Sequence, residues 1–132
     1  MSEFVLGELS IDVEEVAPDR IALHWRGVSN SRNPDEALRS FFGLVFARAM
    51  VREVVLELHF EHLSHFNSAT IAAVVRLTEE ARVRKLRLEL SYDGSKRWQE
   101  HSFDGLAVLV RPDGLLTIRA VTPGPHDEAV GH

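Results

Sequence analysis

Residues 53–60 restrict the fold more than any other stretch of this chain. Val54, Val55, Leu56, Leu58 and Phe60 make a short β-rich run that is nearly continuous at its start. Such a run reads as an interior strand covered on both faces. Helical patterns stand on either side of it. Upstream, Asn33-Pro34-Asp35-Glu36 supplies a cap, a proline at the first helical position and two acids near the positive helix end. Leu38, Phe41, Phe42, Val45, Phe46, Ala49 and Met50 follow at helical spacing to about Val51. Downstream, Asn67 is placed to cap a second helix ending near Arg84. Its inward residues are Ile71, Val74, Val75, Thr78 and Ala81, with Arg76, Glu79, Glu80 and Arg84 outside. Helices alternating with strands make the strands mostly parallel, through right-handed crossovers.

The flanking segments complete this arrangement. Leu9, Ile11 and Val13, then Ile21, Leu23 and Trp25, alternate with polar residues across a Pro18-Asp19 turn, which predicts a β-hairpin covered on one face. Residues 4–6 add a short leading strand. Leu86, Leu88 and Leu90 alternate with Arg87, Glu89 and Ser91 as a further strand. Tyr92-Asp93-Gly94-Ser95 reads as a turn whose serine caps a third helix over 96–109, with Trp98, Phe103, Leu106 and Ala107 inward. Arg111-Pro112-Asp113-Gly114 breaks it, and residues 115–121 return as a last strand. The expectation is one α/β domain over 1–121, with an N-terminal β-hairpin, a mixed sheet of about five to six strands and three helices. Residues 122–132 have no apolar pattern and are expected to be disordered.

Composition narrows the function classes. At 132 residues, 45% hydrophobic and 27% charged, the chain has the balance of one soluble globular domain. It contains no cysteine, which removes disulfides, thiolate nucleophiles and thiolate metal sites. A formal charge of −5 argues against a nucleic-acid binder that works by neutralising many phosphates. No apolar run has the length of a membrane span, and Met1-Ser2-Glu3-Phe4 lacks the basic start of a secretory signal, so the expected location is cytoplasmic. Gly94, Gly105 and Gly114 are isolated and form no phosphate-binding loop.

Chemistry is expected where the strand of residues 53–60 hands over, through the polar passage His62-Leu63-Ser64-His65-Phe66, to the helix opened by Asn67-Ser68-Ala69-Thr70. Such a junction lies outside the carboxyl edge of an α/β sheet, with free helix N–H groups pointing to solvent. Asn67 as the cap places Ser68 at the first helical position, beside the positive helix end, where added phosphate is favoured. On residue spacing alone, an Asn-Ser pair that merely starts a helix explains the same pattern. His59, His62 and His65 raise a zinc or nickel site, yet they straddle a strand end and a loop without metalloprotease spacing, so ordinary loop histidines, able to make partner binding pH-sensitive, are the better explanation. Ser68 as a nucleophile with His65 as base lacks an orienting third group. Arg82, Arg84, Lys85 and Arg87, joined by Lys96 and Arg97, suit the negative end of the second helix or an acidic partner.

The segment Val55-Leu56-Glu57-Leu58, the short connection, Phe66-Asn67-Ser68-Ala69-Thr70-Ile71 and the helix that follows resemble the core of a STAS domain, the fold of bacterial anti-sigma-factor antagonists. There an apolar strand leads into an Asp-Ser-Ser/Thr-Gly motif. Asn67 falls on the aspartate, Ser68 on the phosphorylated serine, Ala69 on the next hydroxyl residue and Thr70 on the glycine. Asn67-Ser68-Ala69-Thr70 with Tyr92-Asp93 is more similar to the SiaC-type regulatory phosphoproteins, which carry Asn-Thr-Ser-Ser here and a Tyr-Asp after the next strand. The resemblance implies a non-enzymatic switch without a cofactor. Ser68 would be the phosphoacceptor, with Thr70 the alternative, and Ser64, His65, Asn67, Ser68 and Thr70 would form the partner-binding rim. It also implies a serine kinase of the anti-sigma-factor type, a PP2C-like phosphatase, and a target such as an anti-sigma factor or a diguanylate cyclase. The competing expectations are a constitutive scaffold or small-ligand-binding domain of the same fold, and a metal-dependent enzyme built on the histidines.

Overall fold

The long strand Arg20–Ser29 (β3) is the spine of the sheet, and the elements are read off from it in a computed structural model that describes residues 3–16 and 18–122. Before it come Glu3–Leu6 (β1) and Leu9–Val16 (β2). After it come Asp35–Arg52 (α1), Val55–His59 (β4), Leu63–Phe66 (β5), Ser68–Val83 (α2), Leu88–Asp93 (β6), Arg97–Leu106 (α3), a 3₁₀ turn at Ala107–Leu109, and Leu116–Val121 (β7). The expected tail falls, apart from Thr122, outside the described residues. No helix among the described residues is long and apolar enough to cross a membrane.

All the strands belong to one seven-stranded sheet in the order β1-β2-β3-β4-β6-β7, with β5 paired to β3 off this path. β1, β2 and β3 are antiparallel, whereas β3–β4, β4–β6 and β6–β7 are parallel. This is the α/β architecture with an N-terminal hairpin and three helices that the sequence leads one to expect, with β5 as an addition. β4 covers β3 only from Arg20 to His24, and Gly27, Val28 and Ser29 beyond it pair with Leu63, His65 and Phe66. Leu63 and Phe66 are buried while Ser64 and His65 between them are exposed, because the register slips at Gly27/Val28. That pattern has neither period two nor helical period, so residues 61–66 read as a polar connection.

The sheet has one covered face. Leu56, Leu58 and Phe60 lie under the helices, whereas Val55, Glu57 and His59 point to the other side and are only half-buried. This corrects the expectation of an interior strand covered on both faces: β4 is central, but its second face carries charge. On the covered face the aromatic rings are continuous. Trp25 lies 6.1 Å from Phe42 of α1 and 4.7 Å from Phe60, and Phe60 lies 5.0 Å from Phe103 of α3. Phe103 in turn stacks on Tyr92 at 4.9 Å, almost parallel. Each ring is worth a few kcal/mol of burial, so α1 and α3 are anchored through the same strand residues.

Local details also shift at the helix ends. Pro34, not Asn33, is the N-cap of α1 and no side chain caps it; Asn33 N–H instead donates to Ser31 Oγ. Lys96 holds the same position for α3, and Ser95 donates to Asp93 rather than capping. Ala107 is exposed and Trp98 half-buried, while Gln99 is fully enclosed. β6 runs on through Tyr92 and Asp93, which are buried strand residues and not a turn.

Gly27 has φ of +86°, and a Cβ there would sit 2.1 Å from the Glu8 carbonyl oxygen, which itself accepts from Val28 N–H. Gly27→Ala is therefore expected to lower stability by about 2 kcal/mol or more, read as a drop in the urea midpoint without change of slope.

Candidate functional site

Asn67 closes the start of α2 from several sides. Its Oδ1 accepts from Thr70 N–H at 2.9 Å and from Thr70 Oγ1 at 2.7 Å. Its Nδ2 donates to the Ser31 carbonyl at 2.8 Å, and its own N–H donates to the Ser29 carbonyl. Thr70 Oγ1 also lies 2.7 Å from Ser29 Oγ. The cap therefore belongs to a buried lattice that ties the end of β3 to α2. Thr70 is 0% exposed with its hydroxyl engaged, so it belongs to the framework and is not an accessible acceptor or rim residue. Ser68 differs. It is exposed at the first position of α2, and among the described residues its hydroxyl has no hydrogen-bond partner. The first turn of α2 holds no acidic residue, whereas α1 has Asp35 and Glu36 in its own first turn. The positive end of α2 is thus free of a built-in counter-charge.

Ser64 and His65 are exposed on β5 beside this start. The His65 ring lies 5.8 Å from Trp98, which packs edge-on against Phe66 at 5.2 Å. Trp98 is therefore half-buried at the edge of the core and not fully inward, and it joins the beginning of α3 to the same rim. What aligns α3 with β5 is Gln99, a residue with no assigned role in the sequence reading. Its Nε2 donates to the carbonyls of Phe60 at 2.9 Å and Leu63 at 3.0 Å, and its Oε1 accepts from Asp93 N–H at 2.7 Å. Lys96 Nζ adds a bond to the Glu61 carbonyl at 2.9 Å. These side chains supply the Glu61 and Leu63 carbonyls at the step from β4 to β5 and add a second bond to the Phe60 carbonyl, which also accepts from Leu63 N–H. A polar residue on the apolar stripe of Phe103 and Leu106 was the available signal.

The three histidines do not converge. His62 and His65 are exposed on the turn and on β5, while His59 lies on the open face of the sheet. Among the described residues no group of three or more potential ligands is arranged to hold a metal. His59 Nε2 lies 2.9 Å from Glu57 Oε1, and Nδ1 lies 3.2 Å from Glu61 Oε2 and 2.9 Å from Ser91 Oγ. Residues 57, 59 and 61 share a face at a spacing of two, which groups His59 with two acids and not with the other histidines. Arg20 donates to Glu57 and to Glu89 at 2.7 Å each. The set has the make-up of a nucleophile relay, but Ser91 is 4% exposed and its hydroxyl donates to Glu61 at 2.8 Å. Its strand is paired on both edges, so no free N–H stands ready for an oxyanion. Burial opposes ionisation of Glu61, yet the His59 and Ser91 hydrogen bonds hold its pKa down at about 2. The basic residues at the end of α2 are partly neutralised: Arg82 pairs with Asp113, and Arg84 with Glu80.

Comparison with solved structures finds this architecture among anti-sigma factor antagonists. The anti-sigma factor antagonist SpoIIAA in its unphosphorylated form superposes with a TM-score of 0.53 at 15% identity, covering 92% of this chain and 94% of that one. The Bacillus cell fate determinant SpoIIAA in the phosphorylated form gives 0.53 at 14%, covering 92% and 96%. An anti-sigma factor antagonist from Mycobacterium paratuberculosis gives 0.57 at 14%, covering 97% of each chain. No protein-family model and no curated protein matches the sequence. At such identities the likeness establishes the SpoIIAA-like, STAS-like fold and nothing finer.

Two outcomes follow from the clamps. Gln99→Leu keeps the volume but strands the Asp93 N–H and leaves the Phe60 carbonyl only its bond from Leu63 N–H and the Leu63 carbonyl only its longer one from Lys96, and is expected to cost about 2 kcal/mol in denaturant unfolding. Because the pKa of Glu61 is depressed, its stabilisation is present above the ordinary glutamate range and is lost as pH falls from about 5 towards 2. Glu61→Gln should flatten that limb of a stability-against-pH curve.

Proposed function

We propose that this chain is a non-enzymatic, phosphorylation-controlled protein-binding module, with Ser68 as the phosphoacceptor. The observation that carries the reading is the exposed, unpartnered Ser68 hydroxyl at an α2 start that has no acidic first turn. Thr70 is set aside as the acceptor because its hydroxyl is buried and bonded to Ser29 and Asn67. Two further facts support the reading: the motif resembles those of antagonist and SiaC-type phosphoproteins, and SpoIIAA, which shares the fold, exists in an unphosphorylated and a phosphorylated form.

In the unmodified state the start of α2 docks against a target, with Ser64, His65 and Ser68 on its exposed rim and Asn67 holding the helix start. Phosphate brings a charge of roughly −1.5 to −2 and three acceptor oxygens to that contact. The Asn67-Thr70-Ser29 lattice keeps the helix start in place, so the change acts on the surface without refolding the domain. The partners are a serine kinase of the anti-sigma-factor type, a PP2C-like phosphatase, and an anti-sigma factor or diguanylate cyclase as target.

Ser68→Ala and Ser68→Asp separate the readings. Incubation with the kinase should add one phosphate, by intact mass, to the natural chain and none to Ser68→Ala. Target binding measured by calorimetry should be retained in Ser68→Ala and weakened about tenfold or more in Ser68→Asp, roughly 1.4 kcal/mol. Equal binding by the two variants would instead identify a constitutive scaffold.

A further inference from the structure

His59 faces two carboxylates at once. Carboxylate oxygens only accept hydrogen bonds, so a ring with Nε2 on Glu57 and Nδ1 on Glu61 makes both contacts only when both nitrogens carry protons. The arrangement is that of an imidazolium. A neutral ring has one N–H to give. Glu57 is fixed on the central strand by Arg20, which also holds Glu89, and it forms the shorter bond to His59, 2.9 Å against 3.2 Å. The remaining proton therefore stays on Nε2, which leaves Nδ1 as an acceptor. The donor within reach of it is Ser91 Oγ at 2.9 Å, whose proton otherwise goes to Glu61 Oε1. Loss of one proton from His59 thus takes from Glu61 both of its side-chain partners and leaves the half-buried carboxylate only its own backbone N–H, so that it turns to water for the rest.

Glu61 stands on the turn between β4 and β5, where Leu63 N–H bonds to the Phe60 carbonyl at 3.0 Å and Lys96 of α3 holds the Glu61 carbonyl. We infer that His59, Glu61 and Ser91 form a proton-operated latch on this crossover, closed while His59 is charged and open when it is neutral. The remaining charged groups around the ring set its range. His24 of β3 stacks on it at 4.8 Å and is itself paired with Glu14 of β2, and Arg119 of β7 stands across Ser91 in the register. The hydrogen bond from Glu61 raises the His59 pKa above the ordinary histidine value, burial opposes the rise, and Glu57 adds to it. A raised pKa means that the latch is closed below the ordinary value of about 6.5 and is released as pH climbs through the folded value. The latch needs no phosphate on Ser68 and is tested on the unmodified chain.

The test is an NMR titration between about pH 5.5 and 9 in a His62→Gln/His65→Gln background, so that no histidine of the crossover itself titrates. The His59 ring and the backbone amides of residues 61–66 should share one midpoint above about 6.5. Exchange of the Leu63 amide, corrected for its intrinsic pH dependence, should quicken by roughly threefold or more across it. Adding His59→Gln should abolish the midpoint in the amides, and Ser91→Ala, which removes the donor that the neutral ring needs, should move it upward. Amides of 61–66 that stay still while His59 titrates, movement at Glu57 and Arg20 instead, or a midpoint unchanged by Ser91→Ala would each overturn the latch.

Discussion

The step from β4 to β5 is the constraint on which the remainder of the molecule depends. β3 is longer than β4, so part of its edge is left open, and the chain fills it by leaving the ladder after His59 and rejoining at Leu63. A break of that kind frees carbonyl groups beneath the helical layer, where an unsatisfied polar group costs several times what a made hydrogen bond contributes. Gln99 satisfies Phe60 and Leu63, and Lys96 satisfies Glu61. Phe60, at the same point, touches Trp25, Phe66 and Phe103 with its ring. Backbone satisfaction and aromatic packing therefore meet at one residue, and α3 is fixed to the sheet by both.

A division between the two faces of the sheet follows from the same geometry. All three helices stack on one face, which leaves the other to water and allows Arg20, Glu57, His59, Glu61, Glu89 and Ser91 to interlock there at modest desolvation cost. Strand alternation puts Glu57 and His59 on that side while Leu56 and Leu58 stand in the core. The crossover is thus gripped from opposite sides, by neutral amide chemistry from α3 and by ionic chemistry from the open face. Only the second responds to pH.

At the carboxyl edge, rigidity and exposure are separated residue by residue. Asn67 and Thr70 are locked into contacts with Ser29 at the end of β3 and Ser31 just beyond it, both remote in sequence. Ser68 stands between them without such a contact. A modification site on a frame already saturated with hydrogen bonds can change surface charge while the frame stays as it is.

Local rules determined a good deal of this protein from sequence alone: the alternation of the hairpin, the apolar stripes of α1 and α2, the Asn67 cap, and hence the α/β order with a hydroxyl exposed at the start of α2. Each depends on residues within a turn or two of one another, where periodicity and capping chemistry act directly. Tertiary structure decided what depends on distant partners. β5 exists because β3 has spare edge and a bulge at Gly27, which no pattern within residues 61–66 records. Thr70 is buried because Ser29 lies against it, and Gln99 is a clamp because β4 breaks where it does. His59 belongs with Glu57, Glu61 and Ser91, not with His62 and His65, because a parallel neighbour brings Ser91 alongside it. In each case the deciding free energy is the satisfaction of a buried polar group by a side chain far along the chain, and sequence spacing does not measure that distance.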